Sequence, residues 1–524
     1  MTEQRPLVCI LTAGSGTRMG PYAPIVNKAL LPLDFRAVIS RIIGLFSPDS
    51  EFVVALGYRG DQVRAYLTIA HPTLKIRYVN VSPYEGPGSG PGYSLLSCRH
   101  ELTRPFYFVA SDTLFKPIDS VPAHTNWAGA ALIPREQSAA FCNLRVDGHD
   151  VVEIVDKAPV ASDDFVAFTG FLYVHDHTRF WEGLAEARVT AGEHQVSDGL
   201  RALVDGPGLR AVVGKWTDVG DIEKYRQTLA KEAEFDFGKT EEFLYFSDKR
   251  VIKFFVNPKV VEGRVGKAVL KPHIFPTIEA QDTQFFAYKF VDGQTLYERC
   301  SPQLFSQLLE WLEREVWTRT TVPAGRMRTL CETFYRTKTL ERLAAFQAKY
   351  PDHVAPSTIN LEPIAPLERI LECVPWDRLY KGVPAFIHGD LQFDNILHNE
   401  RSGAFTLVDW RQDFAGEISF GDLYYDLAKL LGGLTINYDL VKQGLFRVER
   451  SGSNLFVDFA VHSTCEIYGR LLREFIESRG LEGRRVRILQ GLIYLNMSPL
   501  HHPPFDVALH AIGARLLTTE LGLT

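Results

Sequence analysis

Ala385-Phe386-Ile387-His388-Gly389-Asp390-Leu391-Gln392-Phe393-Asp394-Asn395-Ile396-Leu397, followed by Leu407-Val408-Asp409-Trp410, sets apolar runs on either side of a polar turn. Carboxylates beside apolar runs are costly unless they are paired or hold a cation. Phosphoryl transfer from ATP needs one carboxylate to take the proton of an attacking hydroxyl, and an amide with a second carboxylate to hold Mg²⁺. Asp390, Asn395 and Asp409 fit those roles in that order. Four polar residue types at fixed spacing, with a metal-type Asp downstream, are unexpected of an ordinary strand-turn-strand.

The wording His-Gly-Asp-x4-Asn followed by Val-Asp-Trp resembles the aminoglycoside phosphotransferase and choline kinase family of small-molecule kinases. The resemblance implies a protein-kinase-like α+β domain. Upstream, Val251-Ile252-Lys253-Phe254-Phe255 places one lysine in an apolar strand, which is expensive unless it meets a phosphate or carboxylate. Lys253 is therefore the candidate ATP-phosphate lysine, with Glu262 a loosely spaced partner near Arg264 and Lys267. Phe285–Leu296 resembles the family's hinge strand and its Asp-Gly-x-Thr-Leu. Helical patterns are expected to about residue 350 and again from about Val457 to Leu495. Asp422 and Asp426 read as structural caps, and His501-His502 as a surface loop. Trp410, Tyr424 and Tyr425 are candidate rings for a quaternary ammonium, or core.

The other half opens on Leu7-Val8-Cys9-Ile10-Leu11, a buried-strand pattern, and runs at once into Thr12-Ala13-Gly14-Ser15-Gly16-Thr17-Arg18-Met19-Gly20. Glycines after a strand let backbone N–H groups cradle a phosphate. Arg18 and Lys28 would add two cations to the same phosphates. Neither the Gly-Lys-Ser/Thr of a Walker loop nor a dinucleotide fingerprint follows. The stretch resembles the nucleotidyltransferases that make nucleotide-activated sugars and alcohols, which implies a Rossmann-like mixed α/β sheet. On that resemblance Ala13, Gly14, Gly16 and Thr17 bind the nucleotide, and the Gly- and Pro-rich loop around Gly90 lies against base and ribose. Asp112, after the strand Phe106–Ala110, and Asp218, in Trp216-Thr217-Asp218-Val219-Gly220, would hold Mg²⁺. Lys157 and Gly170 would face a phosphorylated acceptor, with Glu193, Ser197 and Asp198 continuing its wall. Lys157 is also readable as a solvated lysine.

The length of 524 residues allows two or three domains, and 46% hydrophobic with 23% charged residues is ordinary globular composition. A net charge of −6 gives no electrostatic case for nucleic acid or an anionic membrane. No apolar run is long enough to span a bilayer. The N-terminus does not read as a signal peptide. The seven cysteines stand singly, as expected of reduced thiols in the cytoplasm. The division is expected near residue 235, with 1–235 a nucleotidyltransferase domain and 236–524 a kinase-like one. Mg²⁺, ATP and a second NTP, CTP being favoured, are the expected cofactor and substrates. A kinase makes the phosphate that a nucleotidyltransferase needs as nucleophile, so the two halves would act in series. The alternative is one catalytic half and one regulatory module.

Overall fold

A computed structural model of the chain describes residues 5–118, 121–122, 124–160, 162, 164–186, 193–230, 241–351 and 355–523. The expected boundary near residue 235 lies outside the described residues. Contacts divide the chain into two compact units, one reaching to residue 230 with 241–256 added, the other starting at 257.

The first unit is built on a mixed sheet. Its strands are β1 (Leu7–Leu11), β2 (Glu51–Leu56), β3 (Lys75–Asn80), β4 (Phe106–Ala110), β5 (Thr113–Pro117), β6 (Trp127–Ala131), β7 (Cys142–Asp147), β8 (Asp150–Asp156), β9 (Phe165–Val174) and β10 (Arg210–Asp218). The order is β3-β2-β1-β4-β9-β6-β10-β8-β7, with β5 pairing β10. β1 lies parallel to β2 and β4, and β9 runs antiparallel to β4. Every residue of β1 is buried, as its unbroken apolar run requires of a central parallel strand. The core beneath includes Cys9, Val53, Leu95, Phe108, Leu172 and Leu200. Helices α1 (Gly60–Ala70), α2 (Pro91–Ser97), α3 (Ser197–Val204) and α4 (Ile222–Ala230) belong to this unit. So does the hairpin of β11 (Glu242–Ser247) and β12 (Arg250–Phe255). The Tyr245 hydroxyl donates to the Leu30 carbonyl at 2.8 Å, and the Tyr245 ring meets that of Tyr66 with centroids 4.9 Å apart.

The second unit is mainly helical with short antiparallel strands. Helix α5 (Pro258–Leu270) is capped by Asn257, whose side chain accepts from the Lys259 N–H. The hairpin of β13 (Ile278–Gln281) and β14 (Phe285–Lys289) follows. Helices α6 (Ala324–Cys331) and α7 (Lys338–Lys349) are joined by a π-helical stretch, Glu332–Thr337. β15 (Ile396–Asn399) and β16 (Ala404–Leu407) form the hairpin that ends the catalytic-type turn. Next come α8 (Leu423–Thr435), α9 (Cys465–Ser478), α10 (Gly483–Met497) and α11 (Phe505–Leu521). One expectation is corrected. Val457 does not begin a helix; it lies in the strand Asn454–Phe459, paired with Phe446–Ser451 around Gly452, whose φ of 60° makes the turn. Its alternation of buried and outward side chains is a strand period, and the helices start only at Cys465. Among the described residues, no helix is long and apolar enough to cross a membrane.

Candidate active sites

In the first unit the glycine loop leaves β1 at its carboxyl end, where ligands of open α/β sheets bind. Its shape is fixed from below. The buried Asn27 amide donates to the Thr12 carbonyl at 2.9 Å and to the Tyr58 carbonyl at 2.7 Å. The Lys28 chain lies over Gly16, and its Nζ reaches the Asp112 carboxylate at 2.6 Å. Burial would raise Asp112, but Lys28 and then Arg18 outweigh it and hold the carboxyl below its usual range.

Asp218 comes to the same place because β10 pairs with β5 in a register that sets it opposite Thr113. A Cβ at Gly220 would stand 2.9 Å from Asp218 Oδ1, 3.1 Å from Asp112 Oδ2 and 3.5 Å from an Arg18 nitrogen. Two carboxylates and a cation thus converge on a space that only glycine leaves open. Hard oxygen donors of this kind suit Mg²⁺, and Asp112 and Asp218 are the residues that would hold it. Lys224, on α4, pairs with Asp218 at 2.5 Å. It was not anticipated; the signal was a lysine two residues into a helix that begins immediately after the Asp-Val-Gly element.

The residues expected to face an acceptor are less closely gathered. Gly170 sits beneath the site, where a Cβ would meet Ala110 at 3.0 Å and the Thr113 hydroxyl at 3.2 Å. Gly90, with φ of 124°, admits the His194 carbonyl to 2.7 Å of where a Cβ would stand, and His194 N–H donates to the Ser89 carbonyl at 2.8 Å. The loop around Gly90 and the 193–195 segment are therefore joined. Lys157 is 53% exposed and faces Glu193 at 3.6 Å. Ser197 donates to Asp156, and Asp198 pairs with Arg201, so neither is brought to the carboxylate pair. A cavity of about 370 Å³ opens beside Asp218, lined by Phe141, Trp216, Gln137, Leu132 and Lys224.

In the second unit the quoted stretch forms one hydrogen-bonded turn. Gly389 has φ of 87°, and a Cβ there would lie 2.7 Å from that of Arg411, so glycine is required. His388 is fully buried. Its Nδ1 accepts from the Asp390 N–H, leaving Nε2 to donate to the Val408 carbonyl at 3.0 Å; burial pushes its pKa down to about 4, so the ring is neutral. Asp426 is also fully buried and accepts from His388 N–H, Gly389 N–H and the Trp317 indole at 2.7, 2.7 and 3.1 Å. Asp422 caps α8 and pairs with Arg485 at 3.0 Å. Lys267 donates to the carbonyls of His388 and Arg411 at 3.2 and 3.0 Å, and burial lowers it to about 7. Asp426→Ala would orphan three donors at once. It should destabilise the protein by about 3–5 kcal/mol, read as a lower denaturant midpoint, with Asp426→Asn intermediate; an unchanged midpoint would reject this role.

Asp390 projects from that turn toward Lys429 of α8, 2.6 Å away, and toward the Gln392 amide at 3.0 Å. Burial opposes its ionisation, but Lys429 and Gln392 bring the carboxyl down to about 2. Asp390 is thus ionised at neutral pH. Asn395 spends its amide nitrogen on the Asp390 carbonyl, 2.8 Å away, so its oxygen is the atom it can present to a cation. Val408 N–H donates to the Asn395 carbonyl and brings Asp409 alongside; Asp409 itself pairs with Arg264. An amide oxygen and a carboxylate on adjoining segments are again hard donors suited to Mg²⁺.

Lys253 sits half-buried on β12, in the first unit, whereas Asp390 is in the second. Glu262 is exposed on α5, while Arg264 and Lys267 of the same helix are buried. Trp410, Tyr424 and Tyr425 are all core residues, exposed by 1, 4 and 5%. Lys429 was not anticipated. It is the lone cation in the buried, apolar helix Leu423–Thr435, the same signal that singled out Lys253.

Residues 8–204 match the MobA-like NTP transferase domain, and residues 258–451 match the phosphotransferase enzyme family. Two proteins described as bifunctional protein GlmU, from two strains of Methanococcus maripaludis, are each 22% identical over 217 residues, which are 40% of this chain and 50% of theirs. The chain spans about half the length of these curated relatives. Similar solved structures include a UDP-glucose pyrophosphorylase with UDP-glucose, at 17% identity and TM-score 0.38, covering 44% of this chain and 98% of that one. Another is an inositol-1-phosphate CTP transferase from T. maritima, at 17% identity and TM-score 0.35, covering 43% and 96%.

Proposed function

For a chain that carries a MobA-like NTP transferase domain ahead of a phosphotransferase-family domain, we propose a two-step route from a small-molecule alcohol to its nucleotide-activated form. In the first step the acceptor hydroxyl loses its proton to Asp390 as its oxygen attacks the γ-phosphorus of ATP. The new O–P bond forms, the bond to the β-phosphate oxygen breaks, and ADP leaves. In the second step a phosphate oxygen of that product attacks the α-phosphorus of an NTP, and pyrophosphate leaves. Mg²⁺, held by Asn395 with Asp409 and by Asp112 with Asp218, would neutralise the phosphates in each step.

The observation that carries the reading is that each compact unit has its own pair of metal-type ligands, one pair beside an ionised general base and one beside Lys28 and Arg18. Ala13, Gly14, Gly16, Thr17 and Gly90 would hold the NTP, and Lys157 and Gly170 the phosphorylated acceptor. Lys253 would serve ATP, and the working division would fall near residue 235. CTP is the favoured second nucleotide, a cytoplasmic setting supplies both nucleotides, and an envelope-glycan precursor is the favoured product.

Pyrophosphate release tests this directly. The protein is given Mg²⁺ and ATP, each of CTP, UTP, GTP and dTTP in turn, and a panel of alcohols and sugars. Release that depends on both ATP and an unphosphorylated acceptor is expected. Release only from acceptors already phosphorylated, with or without ATP, would leave the nucleotidyl step standing and reject the coupled route.

A further inference from the structure

Two helices and the loop that follows Asp409 bring cations to the turn that carries Asp390. Lys429 of α8 touches it at 2.6 Å. Lys338, the first residue of α7, lies over the Phe334 ring with its Nζ 4.2 Å from the centroid. Arg411 lies over the same ring at 4.9 Å, so the ring carries two cations. Arg342 stands one helical turn beyond Lys338 on the same face of α7. Among the described residues, neither Lys338 nor Arg411 forms an ion pair with a carboxylate. The charge of Asp390 is already matched by Lys429. Burial first, then repulsion from Arg411, Arg342 and Lys429, pushes Lys338 well below its ordinary range.

Holding two half-buried cations without a carboxylate partner, Lys338 and Arg411, close together is costly, and a bound anion removes that cost. The hydroxyl to be phosphorylated must reach Asp390. The rest of the acceptor therefore lies among Lys338, Arg411 and Lys429. A quaternary ammonium or an amino sugar would be repelled there, and the rings that could have caged one are in the core. Resting on the kinase reading above, we propose that the phosphate acceptor of this domain is an anionic alcohol, carrying a carboxylate or phosphate besides the hydroxyl, and that Lys338 and Arg411 bind that anion.

The full-length protein, with Mg²⁺ and ATP, is assayed for ADP release with matched acceptors: glucose, glucosamine, glucuronate and glucose 6-phosphate, then glycerol, choline, glycerate and glycerol 3-phosphate. Turnover is expected on an anionic member and not on its neutral or cationic counterparts. Lys338→Gln should raise KM for that acceptor at least ~10-fold without changing KM for ATP, and Lys338→Arg should restore it. A second arm needs no turnover. Inorganic phosphate, titrated into protein saturated with Mg²⁺ and ADP, should bind wild type more tightly than Lys338→Gln by a similar factor. A neutral or cationic acceptor whose KM ignores Lys338→Gln would overturn the proposal and leave the kinase reading standing. So would a change confined to KM for ATP, since the cations would then serve the nucleotide. Equal phosphate binding by the two proteins overturns it as well. No ADP release with any acceptor, beside intact pyrophosphate release from phosphorylated ones, sinks the kinase reading itself.

Discussion

Asp390→Ala should lower ATP-dependent phosphorylation of the acceptor by about 1,000-fold and leave pyrophosphate release from the phosphorylated acceptor at the wild-type level. The size follows from the role proposed for the residue. Lys429 and Gln392 keep the carboxyl ionised near neutral pH despite its burial, so it can take the hydroxyl proton as the O–P bond forms. Removing it takes away that acceptor and also leaves Lys429, only 8% exposed, without its partner. An unpaired buried ammonium costs stability, so the variant should also melt earlier. Asp390→Asn separates the two effects. It keeps the shape and the Gln392 contact but cannot take the proton, and it should lose activity as fully as the alanine variant with a smaller loss of stability. Phosphorylation within tenfold of wild type in Asp390→Asn would remove Asp390 from its role as base.

The same turn shows how far a sequence can be read. His388, Gly389, Asp390, Asn395 and Asp409 were legible because their chemistry is concentrated in one short stretch with fixed spacing. In the first unit, Lys28 and Asp112 were legible separately, but their 2.6 Å contact was not. That contact depends on β1 and β4 lying side by side and parallel, which no local pattern states. Lys429 was missed as a single cation in an apolar helix, and Lys338 because cations at its spacing on α7 read as an ordinary solvated face. Their meaning comes from which face meets Asp390. Asp426 was read as a cap, which is what an Asp near a helix start usually is. Its true partners, the N–H groups of His388 and Gly389, are 38 and 37 residues away in the chain. The strand at Val457 was misread as helix because a short apolar run before a long amphipathic helix takes on the period of its neighbour.

Asp112→Asn should lower nucleotidyl transfer by about 1,000-fold, several kcal/mol of transition-state stabilisation, and leave ADP release in the presence of acceptor unchanged. The carboxylate is one of two that converge above Gly220, and it fixes Lys28 at 2.6 Å. The amide keeps the volume but offers a neutral oxygen, so the charge that balances Lys28 and Arg18 is lost with the cation-holding pair. Asp218→Asn should behave alike, with Lys224 released from its 2.5 Å contact. The two lesions, Asp112→Asn and Asp390→Ala, fall in different units and impair different steps, so together they test the order of action. Neither variant alone should convert the free alcohol to its nucleotide-activated form. A mixture of the two proteins should do so after a lag, while phosphorylated intermediate accumulates in solution and is taken up by the partner variant. A mixture that makes ADP but never pyrophosphate, although added phosphorylated acceptor is used, would mean that the kinase product is not the substrate of the nucleotidyl step, and the serial route would fail.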